Sequence, residues 1–313
     1  LGHVRALRQR AGLDTPGRNN MHVLYLPSAH ASIVENAKLL AKEGIIVEPL
    51  PIKDSRVDTE VLTKILRSET VLVSMDAVCG ETGVVWNTRE VAQVLHAHAP
   101  QALLHVDASQ APLTEKMTRA HFDADMLTFD SSKVSVSRGI GVLIMHRTIP
   151  MHPLYAGGGQ ERGLRSGSES PELARSFAEA LSIAALGREI FRASAEQMRI
   201  LLIEFIKKTV PNVQLQEGRS QVPHILNLSL PGRDTDYLVA LLDDAGFAVS
   251  SRSACETDSE EGSRAVLILT GDPARARATL RISWGPDIRP RQLTRFAQAF
   301  AQAVAFIDNN TQG

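Results

Sequence analysis

The sequence predicts an α/β fold, with a mostly parallel sheet covered by helices in its first half and a smaller α+β domain after it. Three observations lead there. Six short runs rich in Val, Ile and Leu recur through the first 145 residues, most of them bounded by turn residues. Helical patterns separate the early ones, at the length a parallel crossover needs. After the glycine-rich stretch AGGGQERGLRSGS (156–168) the texture changes to one long Ala- and Leu-rich helical segment.

Taken in order, the strands are expected at 22–27 (HVLYLP), 45–50 (IIVEPL), 71–75 (VLVSM), 102–107 (ALLHVD), 126–130 (MLTFD) and 141–145 (GVLIM). Between the early ones lie helices over 30–43, 59–66 and 88–98; Ile33, Leu39 and Leu40 fall at helical spacing in the first. The segment 171–209 reads as a helix long enough to join two domains. Beyond it come a strand over 225–230, a helix over 234–245, a short strand FAVS (247–250), a strand over 280–284 and a last helix from Pro290. This gives a large domain over 1–185 and a small C-terminal one over 186–313.

Composition narrows the function. Of 313 residues, 43% are hydrophobic and 22% charged, as in ordinary globular proteins, and the net charge of −1 makes no field for nucleic acid or an anionic membrane. No apolar run is long enough to span a bilayer. The start LGHVRALRQR is basic without an apolar core, so it does not read as a signal peptide, and a first residue of Leu suggests a fragment or processed chain. Two cysteines, Cys79 and Cys255, are too few for a disulfide framework and point to a reducing cytoplasm.

In open α/β sheets, ligands bind beyond the carboxyl ends of the strands. Three polar groups fall there: VCGETG (78–83), Asp107 with Gln110, and Lys133 in the turn Asp130-Ser131-Ser132-Lys133. A lysine in such a turn is a surface charge or, when buried, a Schiff-base lysine. Asp107 either caps its turn or faces a cation. Enzymes that use pyridoxal 5′-phosphate (PLP) need such a lysine together with a carboxylate on the pyridine nitrogen.

Six segments then share one resemblance. SAHASIVENAKLL (28–40), HVDASQ (105–110), DSSKVSVSRGIG (130–141), GGGQERGLRSGS (157–168), SSRSACETDS (250–259) and LRISWG (280–285) resemble, in order and approximate spacing, the motifs of cysteine desulfurases. These are PLP enzymes of fold type I in the class V aminotransferase family. The resemblance runs from about Val23 to the C-terminus. It implies a sheet of the seven-stranded type and a homodimer. It implies that Lys133 holds PLP covalently and shuttles the Cα proton, Asp107 pairs with the ring nitrogen, Gln110 donates to the phenolic oxygen and His30 stacks on the ring. Ser131, Ser132 and Ser168 would bind the phosphate, Ser168 from the second subunit, and Arg281 would grip the substrate carboxylate. Cys255 would take sulfur from L-cysteine as a persulfide, releasing L-alanine, and act as a transient iron–sulfur ligand. The sulfur would pass to an iron–sulfur scaffold or a sulfur carrier. Cys79 has no such role and reads as a buried structural thiol.

The chain departs from the pattern in four places. The family's N-terminal glycine-rich phosphate turn is absent, Ser132 stands for a histidine, Cys79-Gly80 for the asparagines of V-N-N-E-x-G, and Arg252 for a glycine in the cysteine loop. Transamination or selenocysteine lysis on the same scaffold, or a non-catalytic homologue, are the alternatives. Only Cys255 and its loop favour desulfuration over transamination.

Overall fold

A computed structural model describes residues 1–12, 20–134, 138–251 and 262–310. The chain divides into two compact units. One comprises Leu1–Lys53, Val57–Ala77 and Trp86–Leu186; the other comprises Asp54–Arg56, Val78–Val85 and Gly187–Gly313.

The first unit opens with α1 (Gly2–Arg10), β1 (His22–Tyr25), α2 (Ala31–Lys42) and β2 (Ile46–Pro49). Two short strands follow in the chain, β3 (Ile52–Lys53) and β4 (Arg56–Val57). After them come α3 (Thr59–Ile65), β5 (Thr70–Asp76), α4 (Thr88–His98), β6 (Leu103–Asp107), α5 (Arg119–Phe122), β7 (Met126–Asp130) and β8 (Gly141–Met145). Six strands form its sheet in the order β2-β1-β5-β6-β7-β8 among the described residues, one fewer than the resemblance implied. Five run parallel; β8 is antiparallel to β7, with Asp130 opposite Gly141 and Met126 opposite Met145.

Strand alternation sorts the two sheet faces. Leu24, Val73, Leu104, Val106, Leu127 and Phe129 are buried on one. Val23, Leu72 and Met126 point the other way and pack with Val4 of α1 and with Leu40 and Ile45. The basic start of the chain is thus a helix folded onto the sheet, held also by the pairing of Arg5 and Arg8 with Glu43. Crossover helices α3 and α5 begin where side chains satisfy their first N–H groups. Asp58 accepts from Glu60 and Val61 (3.1 Å each), and Thr118 from His121 (3.1 Å).

Helix α6 (Pro171–Thr209) leads into the second unit, which holds β9 (Gln214–Leu215), β10 (Ile225–Ser229), α7 (Thr235–Asp244), α8 (Arg264–Thr270), α9 (Pro273–Arg277), β11 (Thr279–Ser283) and α10 (Pro290–Asn310). Its sheet, β11-β10-β9, is antiparallel. Leu226, Leu228, Leu280, Phe296 and Phe300 fill its core, and Arg233 clamps Asp308 of α10 through two bonds of 2.7 and 2.9 Å. The segment FAVS, expected as a strand, is not one. Gly246 at φ +86° turns the chain out of α7, and only Ser250 reaches β11, as a bridge to Arg281. The apolar run RAVLILT forms α8, which Ser263 caps and Gly271 at φ +67° ends.

His224 is buried against Phe191 at a ring distance of 5.4 Å. Burial first, and then the nearby Arg199 cation, lowers its pKa to about 4. The unfolded chain therefore binds a proton that the folded one refuses between pH 6.5 and about 4. This part of the stability is whole above pH 6.5 and is lost as the pH falls towards 4. By pH 5 the loss amounts to about 2 kcal/mol. Urea midpoints of His224→Phe and wild type, compared at pH 7 and pH 5, check this. The variant should lose less stability across that interval by about that amount.

Candidate active site

Strands β5, β6 and β7 end side by side, with Asp76 opposite Asp107 and Asp107 opposite Thr128. Asp107 closes β6, where its Oδ1 accepts from the N–H of Ser109 (2.9 Å). The side chain therefore does what a turn cap does, and it also lies on the wall of a cavity of about 450 Å³ between the sheet face, α1 and α2. That wall is largely apolar, with Val23, Leu72, Met126 and Leu143 on it. Among its described residues Asp107 is the only Asp, Glu, Lys or Arg.

Next to Asp107 on this face is a group that the motif comparison left without a role. His105 lies between Ser74 of β5 and Thr128 of β7; its Nδ1 is 2.8 Å from Ser74 Oγ and its Nε2 2.8 Å from Thr128 Oγ1. Period-two alternation in HVDASQ places His105 and Asp107 on the same face, so the signal was present in the sequence.

Gln110 is partly buried in the turn after β6. The segment after β7 is a single 3-10 turn over Ser131–Lys133. Asp130 caps it, taking the N–H of Ser132 at 3.0 Å and its hydroxyl at 2.6 Å. Both donors of Ser132 thus already face an anion. Ser131 is buried, and its N–H donates to the Ile140 carbonyl (3.1 Å), tying the two ends of the lysine loop together. Lys133, at the end of the turn, is exposed rather than buried. His30 is exposed as well and caps α2, its Nδ1 accepting from the N–H of Ser32 (3.2 Å). Ser168 is exposed, one residue after Gly167. Gln110, Lys133 and His30 each follow the carboxyl end of a parallel strand, but of the assigned residues that are described only Asp107 lines the cavity.

In the second unit Arg281 is partly buried on β11 rather than a free surface charge. Its Nη1 donates to the Gly80 carbonyl (3.1 Å), and its own N–H donates to the Ser250 carbonyl (2.7 Å). The same unit joins Ser263, which follows the cysteine loop, to Glu81 of the VCGETG segment through a hydroxyl–carboxylate bond. Gly262 is required there, since a Cβ at that φ of +80° would stand 2.3 Å from the Ala276 carbonyl. Cys79 is fully buried, with its N–H on the Val84 carbonyl (2.8 Å). Cys255 and Arg252 lie outside the described residues. Among the described residues no cluster of His, Cys, Asp and Glu could hold a metal ion, and no helix is long and apolar enough to cross a membrane.

A pyridine-ring cofactor fits the ring end of this arrangement, because Asp107 is the one acidic side chain among the described residues of a mostly apolar wall. A phosphate at the turn after β7 would have to share the Ser132 donors with Asp130.

An open, mostly parallel sheet of this kind, with a smaller antiparallel sheet in the second unit, is the architecture of PLP fold type I proteins. The chain belongs to the class V aminotransferase family, whose model, Aminotransferase class-V, matches residues 11–296. Among curated relatives, the cysteine desulfurase IscS 1 of Archaeoglobus fulgidus is 30% identical over 271 residues, 86% of this chain and 70% of that protein. The mitochondrial cysteine desulfurase of Candida albicans is 28% identical over 296 residues, 93% of this chain and 60% of that protein. The chain thus spans between 60% and 70% of these relatives' lengths. Among solved structures, DndA from Streptomyces lividans is 28% identical with a TM-score of 0.73, covering 91% of this chain and 78% of that one. A NifS-like protein shares the fold at a TM-score of 0.86 and 23% identity, over 97% of this chain and 79% of its own.

Proposed function

We propose that this chain is a PLP-dependent cysteine desulfurase that releases L-alanine from L-cysteine and keeps the sulfur as a persulfide on Cys255. Asp107 is the observation that supports the reading most directly. It is the one acidic side chain among the described residues of a mostly apolar cavity wall at the carboxyl edge of the sheet, in a chain 30% identical to a cysteine desulfurase. PLP, when bound, supplies a ring that withdraws electrons from the Cα of an attached amino acid.

The chain's own residues do the rest. Asp107 orients the ring by pairing with its protonated nitrogen, and Gln110 donates to the phenolic oxygen. Lys133 holds the cofactor covalently and moves the proton at Cα, with His30 beside the ring. Ser131, Ser132 and Ser168 bind the phosphate. Arg281 takes the substrate carboxylate in a two-point grip. The Cys255 thiolate attacks the substrate sulfur, the Cβ–S bond breaks and an S–S bond forms. The three-carbon remainder takes up protons and leaves as alanine.

Residues 1–185 form the cofactor-binding domain and 186–313 the smaller one. The protein works as a homodimer in the cytoplasm, and an iron–sulfur scaffold or sulfur carrier receives the sulfur. Ile183, Leu186 and Ile190 support the dimer. They repeat at helical spacing along α6 and are 71, 85 and 78% exposed, which is unusual for a monomer.

The test feeds L-cysteine, PLP and a thiol reductant to the purified protein and measures sulfide and alanine together. Equal amounts of both are expected. Mercaptopyruvate in place of alanine, with no sulfide, would turn the reading to transamination. Neither product, with no cofactor bound, would leave a non-catalytic homologue.

A further inference from the structure

We infer that His105 is a positioning residue for the cofactor, a neutral imidazole fixed beside Asp107 so that the Asp107 carboxylate is left whole for a cationic ring nitrogen. This rests on the PLP reading above, and three observations on the sheet face carry it.

The first is the pair of hydroxyls. A neutral imidazole has one donor and one acceptor, and Ser74 Oγ and Thr128 Oγ1, each at 2.8 Å, meet one apiece because a hydroxyl serves in either sense. β5 also carries Asp76 on this face, but in register with Asp107 and two residues beyond Ser74, so neither strand sets a carboxylate opposite the ring, as a site built to keep the histidine charged would. The second is placement. His105 and Asp107 are alternate residues of β6 and both line the cavity, separated along the strand by about 7 Å. A charged imidazole at that distance would compete with any ligand cation for Asp107. The third is the rest of the wall. Its other titratable groups are His3, bound through Nδ1 to the Pro150 carbonyl (3.0 Å), Tyr25 and the Leu1 amino group; α2 contributes Ser32 and Asn36 but no charged side chain. His105 is therefore the nearest group on the strand able to spoil the pairing. Burial is the main influence on it and brings its pKa to about 4, with Asp107 pulling upward and the Leu1 amino group downward.

Two measurements test this. In wild-type protein carrying ¹⁵N-labelled histidine, the His105 ring resonances, assigned by their loss in His105→Gln, should keep the pattern of a neutral tautomer down to pH 5.5. An imidazolium pattern at that pH overturns the inference without reference to any cofactor. Cofactor affinity is then read from the absorbance of bound PLP in wild type, His105→Gln and His105→Lys, with circular dichroism as the check on folding. Gln, neutral and able to bond both hydroxyls, should keep the PLP dissociation constant within about threefold. Lys should raise it at least tenfold, since its ammonium takes up Asp107. A folded Lys variant that binds PLP like wild type overturns the inference, as does a Gln variant that weakens binding as much as Lys. Wild type that binds no PLP, while His105 is neutral by NMR, brings down the cofactor assignment instead.

Discussion

Cys255→Ala should abolish sulfide release from L-cysteine, a loss on the order of a thousandfold or more, while leaving cofactor binding and its absorbance unchanged. The thiolate is needed only where sulfur leaves the substrate. Binding of the amino acid and the proton movement at Cα involve Asp107, Lys133 and Arg281 instead. Removing a nucleophile made use of in one step should therefore lower kcat for that step and spare the others. Exchange of the alanine Cα proton with solvent deuterium, followed by NMR, reports the part that should survive. The control is Cys79→Ala. Cys79 is fully buried and its backbone holds the turn to Val84, so its replacement should cost about 1 kcal/mol of packing and keep sulfide release. Sulfide released at the unmodified rate by Cys255→Ala would remove Cys255 as acceptor. The reading would then lose the residue that separates desulfuration from transamination.

Lys133→Ala should leave a protein that cannot hold PLP covalently, with turnover reduced by a comparable factor. Borohydride reduction of the wild type, followed by peptide mapping, should place a pyridoxyl group on Lys133. Its position after β7, one strand over from Asp107, motivates the assignment. Its exposure makes the experiment a sharp one, because burial does not single Lys133 out from other surface lysines such as Lys53 or Lys64. An adduct on either of those, or on none, would reject the assignment.

The way each residue was legible differs. The parallel strands could be read because Val, Ile and Leu runs alternate with helical periods, and β1, β5, β6 and β7 each fall within about a residue or two of the expected bounds. Asp107 could be read because a carboxylate ending an apolar strand is conspicuous. By contrast, α8 is a short apolar run bounded by Ser263 and Gly271, and α1 has a polar composition that conceals Val4 on its buried side. FAVS had the residues of a strand but only one within reach of a partner.

From its own order of residues the chain determines the α/β class, the family motifs and the chemistry of the groups at the strand ends, because period, turn residues and spacing are local properties. Only the tertiary structure decides what those groups face. It places Asp107 as the one acidic side chain among the described residues of a cavity wall, sets His105 between two hydroxyls from neighbouring strands and commits the Ser132 donors to Asp130. It also leaves Lys133 and His30 in solvent, and ties Arg281 to a carbonyl some two hundred residues away, at Gly80. Burial, and hydrogen bonds between strands, depend on which segments the sheet brings side by side, and no local pattern in the sequence encodes that neighbourhood.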